Sequence, residues 1–399
     1  MKLRLHLGLS NYRSPRMINQ WFKWLSPGLF IKRWMAVSAT GVLVASLGLA
    51  ISTGMTPIYY ILQLLKNLLG WITTVVPNYI SGPLMIALGV VLVLWSQTRS
   101  LNSISEAFYP AGDEQLVDRL LSHRRLLRGP KIVGLGGGTG LSTLLRGLKE
   151  YSANITAIVT VADNGGSSGR LRDEFSIIPP GDLRMALAAL CADDEWGRSW
   201  AEIMQYRFAS NGPLDGHAVG NLLLAALWNK GEDPVAGLDR VGSLLKVIGR
   251  VLPMSKEPLD IEATFYNSTG RFIVKGQVEV ATAKGRLESL RLHPENPAAR
   301  EESLQAIEEA DWIVMGPGSW FSSVIPHLLV PAQLEALQKT NAKKILILNL
   351  DASSRSQGEE FAGSTPEEHL DFFHRYAPGV RVDYCLVDQS VVRDEAALQ

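Results

Sequence analysis

Two patterns of apolar spacing divide this chain. From Trp34 to Thr98 apolar residues dominate and Lys66 is the sole formally charged position. From Lys131 onward, short apolar runs alternate with segments of helical spacing. The first pattern suits membrane-crossing helices, which need roughly 20 apolar residues each. It predicts two transmembrane helices, at about 34–54 and 80–96. Between them, Thr56-Pro57 and Pro77-Asn78 punctuate a segment with Tyr59, Tyr60 and Trp71, rings that favour a membrane interface.

The second pattern predicts an α/β fold, a Rossmann-like mainly parallel sheet. Its strands are expected at Lys131–Leu135, Thr156–Val161, Trp312–Met315, Lys344–Leu348 and Val382–Val387. Helices are expected at Leu183–Cys191, Val219–Trp228 and Leu304–Ala310. Alternation across Ile261–Glu279, around Asn267-Ser268-Thr269-Gly270, predicts an inserted β-hairpin. The expected organisation is therefore a basic leader and two-helix anchor over 1–98, a juxtamembrane linker helix over 99–130, and a ligand-binding domain over 131–399.

Charge adds an orientation. Lys2, Arg4, Arg13, Arg16, Lys23, Lys32 and Arg33 precede Trp34 with no acidic residue among them, and Arg99, Arg119, Arg124, Arg125 and Arg128 follow the second run. Positive charge on both sides of a two-pass hairpin places both termini in the cytoplasm, on the inner face of the plasma membrane. Over the whole chain 39 basic residues balance 39 acidic ones, which argues against a nucleic-acid partner held by bulk charge. Cys191 and Cys385 have no metal spacing and cannot form a disulfide framework.

Three expected strand ends carry candidate chemistry, and ligands of open α/β sheets sit at strand carboxyl ends. The first is Gly134-Leu135-Gly136-Gly137-Gly138-Thr139-Gly140, where glycines let backbone amides approach a phosphate before a helix start. It is no Walker loop, since Gly-Lys-Ser/Thr is absent, and Thr139 and Leu141 fall where a dinucleotide fingerprint needs its third glycine. The second is Asp163-Asn164-Gly165-Gly166-Ser167-Ser168-Gly169-Arg170, read as another anion nest with Arg170 and Arg172 in support. The third is Gly316-Pro317-Gly318-Ser319, in which Ser319 is placed to cap the next helix. Asp182 reads as a helix N-cap, and His217 and Asn221, four apart, as sharing one helix face toward the pocket. No nucleophile–base constellation stands out, so binding is favoured over catalysis.

The runs Gly136–Ser142 and Thr160–Arg172, with Pro179-Pro180-Gly181-Asp182-Leu183-Arg184, Gly216–Leu223, Gly249–Pro253 and Gly316–Ser319, resemble the gluconeogenesis factor family (YvcK-like). That family is related to the 2-phospho-L-lactate transferases (CofD-like). The likeness spans about 131–350, and the membrane hairpin resembles the amino-terminal extension of cyanobacterial members. It implies a Rossmann-like domain that binds a nucleotide-sugar such as UDP-N-acetylglucosamine, and a role in cell shape and wall synthesis during gluconeogenic growth. Membrane lipid is then a partner; cell-wall synthesis proteins and self-association are left open. The alternative is a CofD-like phosphoryl-group transferase, the only reading that brings in magnesium. Those transferases carry an acidic pair where this chain has Asp163-Asn164. A second departure follows Leu348-Asn349-Leu350, where the family continues Met-Thr-Gln-Pro-Gly-Glu-Thr and this chain reads Asp351-Ala352-Ser353-Ser354-Arg355-Ser356-Gln357.

Overall fold

The computed structural model describes residues 31–52, 56–75, 77, 79–80, 82–89, 91, 125–268, 270–348, 366–388 and 392. It divides into two compact units, 1–122 and 123–399.

In the amino-terminal unit, α1 (Ile31–Ser52) covers most of the first expected span. The aromatic middle segment, expected to be interfacial, forms a second helix, α2 (Thr56–Val75). Gln63, Lys66, Asn67 and Gly70 fall three and four residues apart, so they line one stripe of α2 beside a wide apolar face. Of the expected 80–96 span, 82–89 is helical and much of the remainder lies outside the described residues, as does 99–124 of the expected linker. Among the described residues no helix is long and apolar enough to cross a membrane.

The carboxyl-terminal unit holds a six-stranded, all-parallel sheet of β1 (Ile132–Gly136), β2 (Ile155–Val159), β3 (Arg250–Pro253), β7 (Trp312–Met315), β8 (Lys343–Ile347) and β9 (Tyr384–Leu386). Its order is β3-β2-β1-β7-β8-β9. In sheet sequence this is 3-2-1-4-5-6, the doubly wound order, with its switch point between β1 and β7. Every residue of β1 is buried, as expected of a central parallel strand covered on both faces. α3 (Gly138–Leu148) packs onto it through Leu141 and Leu145, both essentially inaccessible. A side chain at Gly134 would come within 3.3 Å of Leu141, so that glycine serves helix–strand packing.

The other helices follow in order: α4 (Gly166–Phe175), α5 (Gly181–Leu190), α6 (Glu195–Gln205), α7 (Val219–Asn229), α8 (Pro234–Leu245), α9 (Gln277–Thr282), α10 (Glu301–Glu308), α11 (Ile325–Leu328), α12 (Pro331–Lys339) and α13 (Pro366–Tyr376). The insertion is larger than the expected hairpin. β4 (Asp260–Asn267) and β5 (Gly270–Lys275) do form it, and β6 (Arg286–His293) pairs with the other side of β4 to make a second, antiparallel sheet. The stretch 163–170, expected to be an anion nest, is only partly a turn, because Gly166 already begins α4.

Candidate functional site

The switch point brings two glycine turns together. β1 ends at Gly136 and β7 at Met315, and the turns that follow meet: a Cβ on Gly140 would lie 2.1 Å from the Pro317 carbonyl oxygen and 2.8 Å from Gly318 Cα. No side chain fits at that distance, which is why the first helical turn of α3 carries glycine there. Thr139 lies beside it, within the first turn of α3. Ser319 does cap the next segment, a short π-helix (Trp320–Val324), accepting from the Ser322 amide at 3.2 Å.

On the other side of the first turn stand Thr160 and Asp182. A Cβ on Gly137 would meet Thr160 Oγ1 at 2.5 Å and Asp182 Oδ2 at 2.6 Å. Thr160 donates to Asp182 Oδ2 at 3.1 Å, and the Gly138 amide also donates to this carboxylate. Asp182 is therefore not the N-cap of α5. Pro180 takes that position without a side-chain cap, while Asp182 sits in the first helical turn and reaches across to the glycine turn of β1. Burial, and next the charge of Asp163, push its carboxyl up to about 7; Thr160, Gly138 and Arg184 oppose that rise. Asp182 is nonetheless only half-buried by surface area.

Asp163 Oδ1 accepts from the Gly165 amide at 2.9 Å. A Cβ on Gly181 would lie 2.8 Å from Asp163 Oδ2, so α5 begins hard against this carboxylate. Asn164 turns the other way: its amide nitrogen donates to Glu279 at 3.0 Å and its oxygen accepts from the Val278 amide at 3.2 Å. It thereby ties the β2 turn to α9 of the inserted sheet. Among the described residues no three His, Cys, Asp or Glu side chains gather to hold a metal. The two carboxylates of the site, Asp163 and Asp182, accept hydrogen bonds from Thr160 and from backbone amides.

Ser167 and Ser168, expected to face an anion, are buried. Ser168 Oγ accepts from the Gly181 amide at 2.9 Å. Ser167 Oγ accepts from Asn221 Nδ2 at 3.0 Å and from the Ala218 amide at 3.3 Å. Its own proton is then directed at His217 Nδ1, 3.0 Å away. His217 precedes the N-cap of α7, so it and Asn221 do not share a helix face; they converge instead on Ser167. Arg170 is exposed and donates to Asp215 O at 2.5 Å, while Arg172 leaves the site to pair with Asp260 at 2.7 Å. Gly166, at the start of α4, and Gly316, just after β7, both adopt positive φ, 49° and 77°.

Four residues near the site were not legible as site residues. Thr160 lies within a strand-end run, and Arg184 reads as an ordinary helix residue. Ser323 approaches Gly137 from the π-helix, 3.3 Å from the position of a Cβ there. Buried His327 places Nε2 3.2 Å from Gly136 O and Nδ1 3.2 Å from Gln333 Oε1; burial lowers its pKa to about 4, and these two contacts oppose that fall. With no close carboxylate or metal spacing, nothing in the sequence marks it as the strut beneath the turn. A separate pocket of about 400 Å³ opens at the amino-terminal ends of β1 and β2. Its Lys131 and Arg250 are ion-paired with Glu309 and Asp239.

Residues 132–399 match the family described as 2-phospho-L-lactate transferase CofD. The chain belongs to the CofD family. Within it, the relatives are gluconeogenesis factors of the YvcK-like group. A Nostoc sp. relative is 48% identical over 361 residues, covering 90% of this chain and 77% of its own. The gluconeogenesis factor of Halalkalibacterium halodurans is 40% identical over 267 residues, 66% of this chain and 77% of its own. A crystal structure of a upf0052-family member from Bacillus halodurans is similar with a TM-score of 0.61 and 38% identity, covering 68% of this chain and 89% of that one. The CofD-family match begins at the first residue of β1, so it takes in every strand of the parallel sheet.

Proposed function

We propose that the carboxyl-terminal domain binds a nucleotide-sugar of the UDP-N-acetylglucosamine type and acts as a regulatory protein of cell shape and wall synthesis during gluconeogenic growth. The observation that carries this reading is the meeting of the 136–140 and 316–319 turns at the switch point of a doubly wound sheet. In it the phosphates lie against the amide-rich start of α3, where a helix dipole favours negative charge. Asp163, at the end of β2, then lies where a ribose or sugar hydroxyl is held. The gluconeogenesis-factor name of the relatives supports the physiological part. The amino-terminal unit is the proposed anchor: its basic leader and apolar helices suit the inner face of the plasma membrane, both termini cytoplasmic.

Calorimetric titration of the full chain with UDP-N-acetylglucosamine tests the binding. Saturable heat with a dissociation constant below millimolar is expected; no binding at millimolar ligand sinks the reading. One observation favours a second reading, a phosphoryl-group transferase of the CofD type: the Asp182 carboxyl is held near neutrality, where a proton-transfer group works best. Magnesium-dependent turnover of a nucleotide-activated donor, lost in Asp163→Asn, would decide for it.

A further inference from the structure

Three arginines gather beside the amino terminus of α7 without a carboxylate to meet them. Arg170 of α4 donates to Asp215 O, and Arg207 donates to Gly216 O at 2.9 Å. Arg184 of α5 donates through Nε to Asn221 Oδ1 at 2.8 Å, in the first turn of α7. All three guanidiniums are thus fixed on the stretch 215–221. Elsewhere Arg172, Arg250 and Arg300 each hold an aspartate at 2.6 to 2.8 Å. Among the described residues Arg170, Arg184 and Arg207 have no ion-pair partner.

This arrangement is unfavourable as it stands. Arg184 is 2% exposed, and its Nη1 is buried with no hydrogen-bond partner. Burial lowers its pKa to about 10, and among its charged neighbours Arg207 acts more strongly than Asp182 or Asp163. A buried donor without an acceptor costs free energy, more so when charged. His217 shares the surroundings: burial and then Arg170 disfavour its cationic form, with Glu174 pulling the other way and Arg207 adding to the lowering. Because Ser167 donates to its Nδ1, the neutral ring keeps an Nε2–H donor. Behind it begins α7, an eleven-residue helix whose dipole adds positive potential at this end. Asp215, whose backbone carbonyl Arg170 holds, places its Oδ1 on the Ser210 amide.

We propose that Arg170, Arg184, Arg207 and His217, at the amino terminus of α7, bind a phosphate group of a second molecule, held beside the nucleotide. The cluster stands on its own geometry, and it rests on the nucleotide-binding reading only in being the second anion site. A phosphate matches the donor set because it offers several acceptor oxygens to arginine forks and an imidazole N–H at once. The regulated or reacting partner of the nucleotide is thus a phosphorylated small molecule.

The test is binding of inorganic phosphate to the full chain by calorimetry, with and without saturating UDP. The wild type is expected to bind phosphate in both conditions. Arg207→Gln weakens phosphate binding by about tenfold, the loss of one charge-assisted contact, and leaves UDP affinity unchanged. Arg170→Gln/Arg207→Gln weakens it further, whereas Arg198→Gln, an exposed arginine outside the cluster, does not. Equal phosphate affinity in wild type and double variant, or no phosphate binding at all, overturns the proposal. Complete exclusion of phosphate by UDP also overturns it, since the cluster would then serve the nucleotide itself. If UDP does not bind, the nucleotide reading fails while the arginine comparison still decides this one.

Discussion

Gly140→Ala destabilises the carboxyl-terminal unit severely, whereas Gly147→Ala, in the same helix, does not. The added methyl at 140 would sit 2.1 Å from a backbone carbonyl oxygen of the neighbouring turn, and no side-chain rotation can relieve that. One of the two turns must move by more than an ångström, and overpacking of this kind costs about 3 kcal/mol or more. At Gly147 a Cβ meets nothing within 4 Å, so alanine there gains up to about 1 kcal/mol of helix propensity. Urea unfolding of both variants measures the contrast. Equal midpoints would mean that the 136–140 and 316–318 turns are not in contact, and the site would lose its floor.

The second large effect concerns Asp182. Its folded carboxyl titrates near 7 instead of 3.8, so the folded protein holds this proton more tightly than the unfolded chain does. The associated stability is fully present below about pH 4 and is lost as pH rises through 7. The full span of the shift corresponds to about 4 kcal/mol at most. Asp182→Asn keeps an oxygen for Thr160 and the Gly138 amide but carries no charge. It should therefore stabilise the protein at pH 8 by about 2 kcal/mol and flatten the fall in stability between pH 5 and 8. Thermal unfolding across that range reads the difference, and a variant with the wild-type pH slope would show that Asp182 is not the titrating group.

Much of this architecture is legible in the sequence, for identifiable reasons. β1 and β7 announce themselves because buried parallel strands read as short apolar runs ended by glycine. β3 does not, since Arg250-Val251-Leu252-Pro253 is too brief and ends in proline. β6 hides because Arg286, Glu288 and Arg291 break its alternation with charges on an exposed face. The amino terminus of α4 does not read as helix because Gly166, Ser167, Ser168 and Gly169 have poor helix propensity. Tertiary contacts override that preference, since both serines are spent inside the fold.

The site divides in the same way. Glycine turns and strand-end acids are written locally and can be found by eye. The direction of a side chain is not: Asn164 faces α9, Arg172 faces β4, and His217 turns on a serine fifty residues away. Asp182 looks like a cap until the glycine turn is placed beside it. Arg184 becomes notable only once its Nη1 is seen without a partner.

Hydrogen exchange of the full chain with and without UDP-N-acetylglucosamine tests the central claim most directly, because it locates the ligand as well as detecting it. The account predicts added protection of amides at 136–141, 163–166 and 316–319. Protection confined to other segments, such as the pocket at the amino-terminal ends of β1 and β2, or none at saturating ligand, would contradict it.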